Sequence, residues 1–90
     1  MADFTGANLA GANFSGGNLE GAILQHANLS LARLNGANLK DANFTDCNWW
    51  RARGLITPQI ELLKKNFPPS QNAGIALKED YEKWIKAAPK

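Results

Sequence analysis

His26 and Cys47 are the only imidazole and the only thiol in the chain. A structural zinc site takes four ligands from Cys, His and carboxylates, and this pair, far apart in sequence, is too few soft donors to make one. A lone thiol forms no internal disulfide either, so nothing requires an oxidising compartment. There is no Gly-rich phosphate loop, no nucleophile-elbow serine and no histidine next to a carboxylate in sequence. Catalytic residues, metal ligands and cofactor-binding residues are each expected to be none, and the chain is read as a non-enzyme. The chemistry that remains is recognition. Trp50, Arg51 and Arg53 place an indole beside two guanidiniums, the residue types that anchor protein interfaces, and form the candidate partner surface.

A repeat must position these residues. Read in fives from Ala2, the sequence gives ADFTG, ANLAG, ANFSG, GNLEG, AILQH, ANLSL, ARLNG, ANLKD, ANFTD and CNWWR, ten units without an insertion. The third place is always large and apolar: Phe4, Leu9, Phe14, Leu19, Leu24, Leu29, Leu34, Leu39, Phe44 and Trp49. The first place is always small: alanine in eight units, Gly17 in one and Cys47 in the last. Self-similarity over so short a period must be resolved before any helix or strand is assigned.

Period five fits neither common template. Five helical steps of about 100° overshoot one turn by about 140°, which scatters the large residues around a helix. On a flat strand an odd period sends successive large residues to opposite faces. A bend in every unit solves this, because first and third places then share one inward face. The fifth place supplies the corner, with Gly in five units and Asp41 and Asp46 in two more. These residues tolerate positive φ. His26, Leu31 and Arg51 depart from that chemistry. The chain must coil.

The repeat resembles the pentapeptide-repeat family, whose pattern runs Ala, Asp or Asn, Leu or Phe, and two free places. That resemblance covers residues 2–51 and implies a mainly β fold, a right-handed four-sided β-helix with four units per coil. Fifty residues then make about two and a half coils, about 12 Å tall at the usual strand spacing. The third-place residues form the core ladder: Phe4 over Leu24 over Phe44, Leu9 over Leu29 over Trp49, Phe14 over Leu34, and Leu19 over Leu39. Cys47, at an alanine place, is read as a small buried hydrophobe. Trp49 belongs to the core. Trp50 stands at an outward place, so either the tail covers it or it anchors a partner together with Arg51 and Arg53.

Asn fills the second place in seven units, where its side chain can bond neighbouring backbone and stack in ladders. Ile23 and Arg33 interrupt that column as surface changes. Some family members resemble DNA in shape and charge and bind DNA gyrase through rows of acids. That role needs a strongly negative field, whereas residues 2–51 set Asp3, Glu20, Asp41 and Asp46 against Arg33, Lys40 and Arg51. The coil is close to neutral.

Beyond Arg51 the pattern fails, because Gly54 replaces the large residue of an eleventh unit. Thr57 is placed as the N-cap of a helix near 58–66 with Pro58 first, and Pro68-Pro69 stops it. A second helix near 76–88 follows from Leu77, Tyr81, Trp84, Ile85 and Ala88 on one face. Glu79–Lys83 and Glu82–Lys86 are its expected surface pairs. The tail holds seven basic residues against four acidic ones, interleaved along its length. That mixture reads as a solvated face rather than an attractor of nucleic acid or membrane. The two helices are expected to cap the last coil, whose open edge is an aggregation hazard.

With 44% hydrophobic and 20% charged residues, the chain reads as globular. Residues 2–53 form the β-helix and 54–90 its helical cap, within one structural domain. The expected role is a non-enzymatic protein-binding or scaffolding module with an unknown partner; the runner-up is a DNA-mimicking inhibitor or protector of gyrase. Neither cofactor, nucleic acid nor membrane span is expected, and the expected compartment is the cytoplasm. At the first coil two arrangements are open: a homodimer through that coil, or cover from preceding coils of a longer parent chain.

Overall fold

The computed structural model describes residues 2–87. Through residues 2–46 the chain winds so that each residue lies beside the one twenty positions on. Parallel bridges join Asp3 to Ile23, Ile23 to Asn43, Asn8 to Asn28, Asn13 to Arg33, Asn18 to Asn38 and Arg33 to Arg53. Four five-residue units therefore complete one turn. The second-place residue makes the ladder: Asn28 donates its N–H to the Ala7 carbonyl at 2.9 Å and accepts from the Leu9 N–H at 2.9 Å.

All nine fifth places from Gly6 to Asp46 hold positive φ, including His26 at 59° and Leu31 at 61°. Within each corner the next first-place N–H donates back to the third-place carbonyl, as Ala27 does to Leu24 at 3.1 Å. A corner every five residues leaves only single bridges between turns. Among the described residues no extended strand forms, so the strands expected of a mainly β fold are not seen and isolated parallel bridges join the turns instead.

The interior is as narrow as the small first places require. Leu24, Leu29, Leu34 and Phe44 are fully enclosed, with Ala22, Ala27, Ala32, Ala37 and Ala42 buried beside them. Phe4, Leu9 and Phe14 at the first end, and Leu39 near the other, are half-buried. Outside, second-place carboxamides satisfy their own chain. The Oδ1 atoms of Asn13, Asn18 and Asn38 accept from the N–H two residues on, at 2.9, 3.0 and 3.0 Å. Asn48 donates to Asn28 at 3.0 Å and Asn28 to Asn8 at 3.4 Å, a carboxamide ladder down one side.

The coil deforms at its tenth unit. Trp49–Arg51 forms a 3-10 turn, and the Asn48 side-chain oxygen, rather than a backbone carbonyl, accepts the Leu29 N–H at 2.7 Å. Register returns at once, since Leu34 donates to the Arg53 carbonyl at 2.8 Å. The coil backbone thus continues past Arg51 into an eleventh unit, although its side-chain pattern has ended. Gly54 ends the run for a steric reason: its φ is 86°, and a Cβ there would lie 2.4 Å from the Asn35 side chain.

Two helices follow, α1 at Thr57–Asn66 and α2 at Ile75–Ala87. Ile56, not Thr57, is the N-cap, because the Gln59 side chain turns back to accept the Ile56 N–H at 3.1 Å. Thr57 is thereby drawn into the helix and Pro58 becomes its second residue. The α2 helix starts one residue earlier than expected, and Ala88 lies outside the described residues. Glu79–Lys83 and Glu82–Lys86 do not form; the ion pairs among the described residues are Arg51–Asp80 and Glu61–Lys64. Among the described residues no helix is long and apolar enough to cross a membrane.

Candidate interaction surface

The tenth unit and α2 meet through aromatic rings. Trp49, drawn off the regular ladder by the 3-10 turn, is wholly buried. Its ring lies edge-on to Trp50, Tyr81 and Trp84, with centroids 5.5, 6.1 and 5.4 Å away. The Trp49 indole N–H donates to the Phe67 carbonyl at 2.8 Å, which ties the end of α1 to the same cluster. Trp49 is therefore packed against the tail rather than in bridge register above Leu29.

Trp50 is buried too, at 5% exposure. Tyr81 covers its ring at 4.9 Å, and its indole N–H donates to Asp80 at 2.8 Å. Arg51 grips the same carboxylate with two charge-assisted bonds, Nε to Oδ2 at 2.8 Å and an amino nitrogen to Oδ1 at 2.7 Å. The Arg51 guanidinium, aided by the Trp50 N–H, holds the Asp80 carboxyl below its ordinary range. These contacts correct the candidate partner surface: Trp50 is enclosed and Arg51 is engaged inside the molecule. Arg53 is exposed and forms no ion pair among the described residues.

Asp46 carries a second clasp. Its carboxylate accepts the Ser70 N–H at 2.7 Å and the Ser70 hydroxyl at 2.8 Å, which fixes the loop between the helices to a coil corner. Sequence reasoning gave Asp46 only its corner and gave Asp80 no role at all. A signal for Asp80 was present: it lies three residues after Leu77 and four before Trp84, so a carboxylate borders the apolar stripe of α2. Such a group needs a donor when the stripe is buried.

None of this is catalytic geometry. Burial pushes the Cys47 thiol up to about 12, which keeps it protonated and inert. His26 stands exposed at its corner. Among the described residues no group of three or more His, Cys, Asp or Glu is arranged to hold a metal ion.

On the outer face, the bridges stack Asn13, Arg33 and Arg53 in one column, and all three residues are exposed. The face comprises residues 12–16, 32–36 and 52–54, and no acid occurs in any of these segments. Like charges on adjacent bridged positions repel, and neither arginine finds an acidic partner among the described residues.

No curated protein matches the chain. The family described as pentapeptide repeats matches residues 2–41, in eight copies. Those copies coincide with the first eight units of the coil, whose register runs on through the ninth, and residues 2–41 are repeats of the pentapeptide family.

Proposed function

We propose that the chain is a non-enzymatic protein-binding module, and that the acid-free arginine face is where it engages its partner. Its repeat family is one of protein-interaction modules at this coarse level. The coil is read as a right-handed four-sided β-helix over residues 2–53, with residues 54–90 as its cap in the same structural domain. The observation that carries the reading is the pairing of Arg33 and Arg53 across a bridge with no carboxylate beside them. Two guanidiniums held side by side on a rigid ladder suit an acidic partner surface, each taking a carboxylate through a two-pronged contact. A track of only two charges is short for a nucleic acid backbone. The near-neutral coil likewise lacks the negative field that gyrase mimicry needs.

The test places a photo-crosslinking residue at Asn35, an exposed position two residues from Arg33 and beside Gly54. A protein crosslinked there should be competed by unlabelled chain and lost when Arg33 and Arg53 are both changed to Glu. Crosslinking that is absent, or unaffected by the charge reversal, would remove this face from consideration.

A further inference from the structure

The last coil ends in a rim of backbone groups that no described residue partners. One coil lower, the amides of Leu19, Gly21 and Leu24 donate to the carbonyls of Asn38, Lys40 and Asn43 at 2.8, 2.9 and 2.7 Å. Their counterparts on the rim, the amides of Leu39, Asp41 and Phe44, have no partner among the described residues. The same holds for carbonyls. Gly17 and Ala22 accept from Asn38 and Asn43 at 2.9 Å each, while Ala37 and Ala42 above them accept nothing among the described residues. The repeat geometry points all five groups out of the open end.

Chain that would have laid the next strand here enters α1 instead. Leu63 is buried at the end of the coil, and Phe67 packs edge-on against Phe44 at 5.9 Å. Between α1 and the rim remains an open groove of about 670 Å³, walled by residues 39–45 on one side and by Gln59, Leu62 and Asn66 on the other. Leu62 is 59% exposed there.

We infer that this groove takes an extended segment of another polypeptide as one more parallel strand of the coil. The unused groups dictate its register. One residue gives its N–H to Ala37 and its carbonyl to Leu39, a carbonyl two places on meets Asp41, and a residue five places on repeats the pair at Ala42 and Phe44. Unpaired backbone edges are the usual template for such strand addition. Because the rim turns at Asp41, where φ is 59°, the segment must turn as well, so Gly, Asn or Asp is required opposite that corner. A large apolar residue just after the first paired one rests on Leu62. The ladder is the same one that joins Asn18 to Asn38 and Ile23 to Asn43, continued by a different chain. A closed coil from a second copy is not the occupant, since α1 covers the interior that such a coil must sit on.

The probe is a peptide with the sequence of residues 37–46, capped at both ends, added to the full chain. Amide spectra should show saturable shifts at Leu39, Asp41 and Phe44, with hydrogen exchange at those sites slowed at least tenfold. A peptide N-methylated at its two second-place asparagines keeps its side chains but loses both donors, and it should bind at least tenfold more weakly. Leu62→Asp, at an exposed position, should weaken binding while leaving the circular dichroism spectrum unchanged. The variant with Arg33 and Arg53 both changed to Glu should bind the peptide as the parent does, which separates this site from the arginine face. Three results would overturn the inference: no saturable shift at millimolar peptide, equal binding of the N-methylated peptide, or protection of the rim amides by self-association without peptide.

Discussion

Inside the coil, Leu24 has Phe4 below and Phe44 above in the twenty-residue register, and Leu29 and Leu34 have Leu9 and Phe14 below them. Each enclosed residue has neighbours of its own kind, set by the same bridge spacing. The junction is built differently. There Trp49, Trp50, Tyr81 and Trp84 form a cluster with no copy elsewhere, and single groups hold it: one indole N–H on Phe67, one carboxylate on Asp80, one on Asp46. Repetition spreads the burial of apolar surface over many equal contacts, whereas the junction concentrates directional bonds on a few residues. The coil should therefore respond to substitutions by place in the unit, and the junction by individual residue.

The largest effects test the first half of that contrast. Leu24→Asp buries a charge with no partner and should leave the protein unfolded, a loss above about 4 kcal/mol. Ala10→Asp, at an exposed fourth place, should change stability by no more than about 0.5 kcal/mol. Similar urea midpoints for the two variants would break the inward and outward assignment of the places. At the junction, Trp49→Ala removes a fully buried ring and should cost about 3–5 kcal/mol. Trp49→Phe keeps most of the packing but strands the Phe67 carbonyl, for about 1–2 kcal/mol. Truncation after Arg53 removes the whole cap and should abolish cooperative melting or cause aggregation. A truncated chain that stays monomeric with an unchanged midpoint would show that the coil needs no junction.

Asp80 offers a smaller and more selective perturbation. The folded protein holds its carboxyl below the ordinary value, chiefly through Arg51. Its contribution is accordingly complete above the unfolded value of about 3.9 and is lost as pH falls through the lower folded value. Both partners are substantially exposed, with side chains at 40% and 39%, so solvent screens the pair and about 1 kcal/mol is its upper bound. Asp80→Asn should lower the midpoint slightly at pH 7 and converge with the parent as the pH falls through the lowered folded value of the carboxyl. A gap between the two chains that persists undiminished at low pH would show that the clasp is not electrostatic.

Much of this arrangement was legible in the residues because a period is a geometric statement. Large residues at every third place and corner residues at every fifth led directly to a coil, and all nine corners take positive φ. Both helices could be placed from Pro58, Pro68-Pro69 and the stripe from Leu77 to Trp84. What the pattern could not carry were contacts made once. Nothing in a five-residue repeat says that Asn48 lends its side-chain oxygen to Leu29, or that Arg51 turns toward α2 instead of outward. Trp50 shows the difference well: its place in the unit points out, but the 3-10 turn moves it beneath Tyr81, and the candidate surface loses two of its three members. The rim groove was equally hidden, because it depends on where α1 leaves the coil.

The smallest effects concern the corners, where coil energetics can be read with little packing involved. Leu31 holds φ at 61° with its side chain 57% exposed, a backbone conformation that costs a side-chain-bearing residue roughly 1–2 kcal/mol. Leu31→Gly relieves that strain, while glycine gives back about 0.4–1 kcal/mol through the entropy of the unfolded chain. A net gain of about 0.5 kcal/mol is the expected result. Gly36 is the mirror case, with φ at 67° and no atom within 4 Å of an added Cβ. Gly36→Leu meets no obstruction, so its cost of about 0.5 kcal/mol should come from the backbone alone. Paired thermal melts should move in opposite directions by similar amounts. If Leu31→Gly instead destabilises the chain, the exposed leucine contributes packing that outweighs its strain, and that corner belongs with the individual contacts of the junction rather than with the repeat.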